Sequence, residues 1–146
     1  MTPAAPQVAT EPAAPVFWRV LHAAHELESR LEAALAKVEL SMAKAGLLRI
    51  LADAGGAMAL SELAEHSKCV RSNITQLVDR LETDGLVRRV ADASDRRIRR
   101  AALTPAGRKA HQQATRIFAA REREVADALS HAETAALTKT LGRLAS

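Results

Sequence analysis

The sequence predicts a mainly α-helical chain that carries one small β-hairpin, and three observations lead there. Aromatic residues make up 2% of the 146 residues: Phe17, Trp18 and Phe118, with no tyrosine. A core must therefore be built from Leu, Val, Ile and Ala, a palette that suits helices better than sheets. Apolar residues recur at three and four along most of the chain. That period breaks once, over residues 86–103, where two short runs flank a charged stretch.

Residues 1–15 hold Pro3, Pro6, Pro12 and Pro15 among Ala, Thr and Gln. Proline at that spacing forbids helix, and too little is apolar to fold, so a disordered tail is expected. From Phe17 a single apolar stripe runs through Val20, Leu21, Ala24, Leu27, Leu31, Ala34 and Leu35, about five helical turns. Ser41 is placed to cap a second helix that buries Leu47, Leu48, Ile50 and Leu51 and ends at Gly55-Gly56. Ser61 is read as the N-cap of a short helix through Leu63 and Ala64. A turn at Ser67–Val70 precedes a third periodic run, Ile74, Leu77, Val78 and Leu81, stopped by Gly85.

Leu86–Val90 and Ile98–Leu103 are the two strands of the hairpin, with Ala91–Arg97 as its polar tip. Thr104-Pro105 then opens a long helix, Thr as N-cap and Pro at the first helical position, running to about Leu129 with Ala110, Ala114, Ile117, Phe118 and Val125 on one side. Ser130 and Glu133 have the spacing of a capping box and start a last helix through Leu137, Leu141 and Leu144. Helix, turn, helix and two-stranded hairpin in that order make a winged helix-turn-helix over 41–103. The long helices at 16–40 and 104–146 flank it. They carry more apolar surface than so small a core covers, which predicts a homodimer joined through them.

Composition narrows the function classes. Cys69 is the only cysteine, so an intrachain disulfide is impossible. The N-terminus lacks a secretory signal, and no apolar stretch approaches the length needed to span a bilayer. A cytoplasmic protein with no membrane partner is expected. No Gly-rich phosphate loop, nucleophile elbow or zinc-protease motif occurs, so an enzyme is not expected, nor a cofactor or metal. The net charge is +4, and residues 86–100 hold six arginines (Arg88, Arg89, Arg96, Arg97, Arg99, Arg100) against Asp92 and Asp95. One short segment thus carries the whole excess, the electrostatic footprint of a polyanion, and double-stranded DNA is the natural one.

The helix after the turn supplies the second half of that reading. With Ile74, Leu77, Val78 and Leu81 inward, its other face presents Arg71, Ser72, Asn73, Thr75 and Gln76, then Asp79 and Arg80. Arg reads guanine, Asn and Gln read adenine, and Ser and Thr suit phosphates. A merely solvated face would be rich in Glu and Lys, and this one has neither before Glu82. At the hairpin tip, Arg96, Arg97 and Arg99 are placed to reach a narrow minor groove. Asp95, two residues before Arg97, is placed to hold its guanidinium by a forked pair.

From Leu63 to Gly107 the chain reads LAEHSKCVRSNITQLVDRLETDGLVRRVADASDRRIRRAALTPAG. This resembles the MarR family of bacterial regulators, with its L-V-D-R-L-E helix end, D-G-L-V-R-R strand, D-x-x-D-R-R wing and L-T-x-x-G helix start. The resemblance implies a homodimer that binds an inverted repeat and usually represses transcription. It implies further that Arg71 to Gln76 sit on the major groove and that Asp95 and Arg97 form the wing-tip pair with Arg96 beside it. It also implies a small-molecule effector pocket between the dimer-forming helices and the DNA-binding part, for which Trp18, His22, Met42 and Arg49 are the candidates. One position departs: Val70 stands where the family commonly has a capping Ser or Thr. Valine cannot cap, so the helix starts later, at Ser72, or forgoes a cap worth roughly 1 kcal/mol.

Other signals have plainer roles beside the functional ones. Cys69 lies between Lys68 and Arg71, neighbours that favour thiolate and would permit a redox-sensing switch; the plainer role is a small apolar filler of the turn. His22, His25 and Glu26 share a helix face, as do His66 and Cys69, but neither set completes a tetrahedral shell. Winged helices also serve as protein-interaction adaptors; the arginine-loaded wing argues against that alternative.

Overall fold

The computed structural model describes residues 15–67 and 72–146. Most of the predicted tail, and the Lys68–Arg71 stretch with Cys69, Val70 and Arg71, lie outside the described residues. The elements are α1 (Val16–Ala36), α2 (Met42–Ala54), β1 (Met58–Ala59), α3 (Leu60–His66), α4 (Ser72–Thr83), β2 (Val87–Ala91), β3 (Arg99–Leu103), α5 (Pro105–Asp127) and α6 (His131–Leu144). This is the mainly α architecture with a small antiparallel sheet that the sequence predicts. The described residues divide into two compact units, one up to Arg30 and one from Leu31 on.

Within the first unit, the α1 residues from Val16 on are exposed along their length. Phe17 and Trp18 pack edge to face with ring centroids 5.3 Å apart. Val16, Val20, Leu21 and Leu27 present an apolar stripe to solvent.

The second unit holds the core. Leu35, Leu47, Leu48, Leu51, Leu63, Ile74, Val78, Leu81 and Val87 are fully or almost fully buried, with Ala101, Ala110 and Ala114 filling between them. Ile50 and Leu77, expected inside, are half-buried at the margin of this core. Its helix ends are closed as the sequence foretells. The Ser41 hydroxyl accepts from the Lys44 N–H at 3.2 Å, and the Glu32 carboxylate accepts from the Met42 N–H at 3.0 Å, so two of the orphan donors of α2 are satisfied. Gly55 ends α2 at φ 68°. Gly85 follows α4 at φ 74°, where its N–H bonds to the Glu82 carbonyl and that of Leu86 to the Leu81 carbonyl. That paired closure requires a left-handed residue, which glycine adopts without strain.

Thr104 and Pro105 open α5, the Thr104 hydroxyl accepting from the Gly107 N–H at 3.0 Å. Ser130 and Glu133 form the reciprocal box at the start of α6: the Ser130 N–H donates to Glu133 at 2.8 Å, and the Glu133 N–H to the Ser130 hydroxyl at 3.3 Å. The Ser130 N–H holds the Glu133 carboxyl below the usual carboxylate range, with the Ser130 hydroxyl assisting. The residues of α6 are exposed throughout, Leu137, Leu141 and Leu144 included.

Two expectations are corrected. Ser61 is not an N-cap: α3 begins at Leu60 with Ala59 in the cap position, and Ser61 lies in its first turn. Alanine has no acceptor; instead the Glu62 carboxylate reaches back to the Ala59 N–H at 3.0 Å. The reason is a strand the sequence did not announce. Met58 and Ala59 pair with Ala101 and Arg100 of β3, so the chain passes directly from strand to helix. The hairpin is therefore part of a three-stranded sheet of order β1-β3-β2. The predicted strands themselves stand within a residue of their observed bounds, in the register Val87↔Leu103 to Ala91↔Arg99.

Candidate nucleic-acid interface

The apolar spacing of α4 decides what the helix shows outward. Ile74, Val78 and Leu81 are buried, which rolls Asn73, Thr75, Gln76, Asp79 and Arg80 into solvent. Asn73, Thr75, Gln76 and Arg80 are thus gathered on one open face within about two turns. Ser72 is the first helical residue of this stretch; its side chain, like Arg71, lies outside the described residues.

The wing tip is held by two aspartates. One Asp92 carboxylate oxygen accepts from the Ser94 N–H (3.0 Å), the Asp95 N–H (3.1 Å) and the Ser94 hydroxyl, and the other accepts from the Arg100 guanidinium. The Ser94 hydroxyl bond, then the Arg100 bond, hold this carboxyl far below the ordinary carboxylate range. Asp95 performs the task its position predicts. Its two oxygens accept from Nε and Nη2 of Arg97 at 3.1 and 3.0 Å, and one also accepts from the Arg97 N–H at 3.0 Å. The guanidinium pair lowers the Asp95 pKa and raises that of Arg97. The Arg97 side chain is nonetheless 91% exposed: aimed, but uncovered. Arg96 and Arg99 are exposed beside it.

The other arginines of the segment are not equivalent. Arg89 turns back to α4, where Nη1 donates to Glu82 at 2.6 Å and Nη2 to Asp79. The Asp79 bond is the larger cause of its raised pKa. Arg100 spans from Asp92 to the Ala57 carbonyl at 3.3 Å, with Glu62 at 4.0 Å. Two of the six charges counted as a basic patch are therefore compensated inside the fold. Asp79, placed by the sequence on the outward face with the base-reading residues, is spent on Arg89. The signal for this brace was present: Asp79 and Glu82 are three apart, on one edge of the helix, and so meet one partner.

Met42 and Arg49 line a cavity of about 390 Å³ between α2 and α5, with His111, Thr115 and Phe118 on its other side. Trp18 and His22, named with them from sequence, stand on the 16–30 stretch of α1, in the other compact unit. Among the described residues, no three of His, Cys, Asp and Glu come together as a metal would need. Nor is any described helix long and apolar enough to cross a membrane.

Comparison with known proteins agrees with this geometry. The MarR family model matches residues 40–98, from just before α2 to the end of the wing tip. No curated protein matches the chain in sequence. Among solved structures it is similar to the transcriptional repressor CouR bound to a 23-mer DNA duplex, at 27% identity, TM-score 0.77, covering 90% of this chain and 93% of that one. It is similar in fold to a MarR variant from E. coli complexed with operator DNA, at 21% identity, TM-score 0.74, covering 88% and 92%. It is likewise similar in fold to BpsR from Bordetella bronchiseptica, whose DNA binding is regulated by 6-hydroxynicotinic acid, at 20% identity, TM-score 0.75, covering 90% and 94%. Members of the family are transcription regulators and not enzymes. It is the winged-helix segment, residues 40–98, that matches the model of the MarR family of transcription regulators.

Proposed function

We propose that the chain is a sequence-specific DNA-binding repressor that acts as a homodimer in the cytoplasm and is released from an inverted-repeat operator by a small molecule. The observation that carries this reading is the pairing of one open polar helix face with one oriented, uncovered arginine. Asn73, Thr75, Gln76 and Arg80, with Arg71 and Ser72 preceding them, read the major groove. Arg97, steadied by Asp95 and flanked by Arg96 and Arg99, enters the minor groove. Residues 16–40 and 104–146 join the two copies, which the exposed leucines of α6 and the exposed apolar stripe of α1 support. The cavity lined by Met42 and Arg49 takes the effector. BpsR, regulated by an aromatic acid, and CouR, bound to duplex, are consistent with both halves of this reading.

The test is a titration of labelled duplex from upstream of the gene against wild type and Arg97→Ala, at two salt concentrations with unrelated duplex as competitor. Binding that resists the competitor, weakens with salt and drops for Arg97→Ala is expected. A folded dimer that binds no duplex at low salt would refute the reading and favour a protein-docking adaptor.

A further inference from the structure

Large apolar side chains are exposed on α1, on α6 and at Phe118 of α5, the elements that the proposed function uses to join two copies. Among the described residues the one exception is Ile98, 40% exposed at the end of the wing tip. Its backbone is fixed. The Ile98 N–H donates to the Asp95 carbonyl at 3.0 Å, and the Asp92 N–H donates to the Ile98 carbonyl at 3.2 Å, which closes the tip just ahead of β3. Its side chain is β-branched and so stiff at χ1, with little freedom to lose on contact. Both carboxylates of the tip are engaged, Asp92 by Ser94 and Arg100, Asp95 by Arg97. What the tip shows outward is thus three guanidinium groups, of Arg96, Arg97 and Arg99, with one aliphatic side chain among them.

An occupant that covers Ile98 has to accept the arginines on either side of it, so it is anionic, and it has to offer apolar surface between its charges. The minor groove of duplex DNA does both: phosphates stand along its rims, and the carbon edges of the deoxyribose rings form its walls. Isoleucine is several bonds shorter than arginine. With the Arg97 guanidinium at the groove floor, its chain neighbour stands at the height of the walls, where it meets sugars and not bases. We infer that Ile98 is a DNA-contacting residue of the wing that packs its methyl groups against the deoxyribose of the groove wall. The contact carries no charge and reads no sequence, so it adds affinity without releasing counterions. It rests on the reading of the wing as a minor-groove element. Burying two-fifths of an isoleucine side chain corresponds to about a three- to eightfold gain in affinity.

Two substitutions of nearly the same shape test it. Ile98→Val keeps a branched apolar side chain, whereas Ile98→Thr keeps the branch and puts a hydroxyl on it. Both full-length variants and wild type are titrated with labelled duplex from upstream of the gene and with an unrelated duplex, across a salt series, with thermal melts alongside. Ile98→Val is expected to bind both duplexes within about twofold of wild type. Ile98→Thr is expected to bind both about three- to eightfold more weakly, with the wild-type slope of log affinity against log salt and the wild-type melting temperature. Equal affinity of the two variants would overturn the proposal. So would a loss confined to the upstream duplex, a reduced salt slope, or a loss that tracks a lowered melting temperature. A wild type that binds neither duplex at low salt would refute the DNA reading and this contact with it, whereas Ile98→Thr binding like a duplex-binding wild type would refute the contact alone.

Discussion

Arg89 and Asp79, ten residues apart, tie the second strand of the sheet to the helix that carries the outward polar face, and Glu82 takes the other arm of the same guanidinium. The bond fixes the angle between α4 and the hairpin, the two parts that the proposed function sets against DNA. Arg89→Ala is expected to lower the unfolding free energy by about 1 kcal/mol, the scale of partly exposed ion pairs, and to leave two carboxylates one turn apart unopposed. Duplex affinity should fall with it although no contact to DNA is removed. Arg89→Lys should restore little, because one ammonium cannot span both carboxylates. Urea unfolding and duplex titration of the three proteins check this; full recovery by Lys would show that charge alone suffices.

The wing tip offers a test in which two physical effects have opposite signs. Asp95→Ala removes a negative charge next to the proposed DNA contact, so simple electrostatics predicts tighter binding. Loss of the forked pair frees Arg97, which then surrenders more side-chain entropy on binding. Orientation is expected to win: Asp95→Ala should weaken duplex binding, less than Arg97→Ala does. Only Arg97→Ala should also reduce the slope of log affinity against log salt, by about one phosphate contact. Titrations across a salt series separate the two.

Asp92 makes a pH prediction whose sign follows from its depressed pKa. The carboxylate is favoured in the folded state, so its contribution is present above the unfolded value of about 3.9 and is lost as pH falls through the lower folded value. Asp92→Asn should therefore be less stable than wild type at neutral pH, and the difference should shrink steadily below about pH 4. Chemical unfolding of both proteins from neutral to strongly acidic pH gives the comparison. A difference that is constant with pH would mean that the bonds to Ser94, Asp95 and Arg100 do not depend on the charge.

Gly107 is constrained by space and not by backbone angle. A Cβ built there would stand 1.9 Å from the Leu86 carbonyl oxygen, the same oxygen that accepts the Thr104 N–H at 3.1 Å. Because the obstacle is backbone, it cannot swing aside. Gly107→Ala should destabilise by about 1–3 kcal/mol or more, as overpacking in a tight site does. Gly142→Ala, where a Cβ meets nothing within 4 Å, should be neutral or mildly stabilising through helix propensity. Thermal melts of both variants check the contrast.

These residues also show what a linear sequence discloses. The Thr104-Pro105 start, the Ser130–Glu133 box and the Asp95–Arg97 fork were all legible because each joins groups within three residues, where chain geometry leaves few alternatives. Strand β1 was not, since two residues are too few to show alternation. The true cap of α3 was lost with it. The Arg100 bond to the Ala57 carbonyl, 43 residues away, depends on the sheet that brings them together and has no local signature. The same holds for the cavity lined by Arg88 of β2 and by Arg108 and His111 of α5. The assignment of Asp79 failed differently: helical spacing showed that it faces outward, and only the fold showed that Arg89 waits there.

The strand order has a mechanical consequence. Because β3 lies between β1 and β2, the hairpin is bonded along both sides of its second strand and cannot pivot as a free flap. With Arg89 clamping β2 to α4, the span from Gln76 to Arg97 is that of a fixed calliper. On the function proposed here, a protein so built would measure the spacing between a major groove and the minor groove beside it, and would tolerate a changed base more readily than a changed helical pitch. Operators overwound or underwound by insertion or deletion of a base pair between the two contacts would fall outside its gauge.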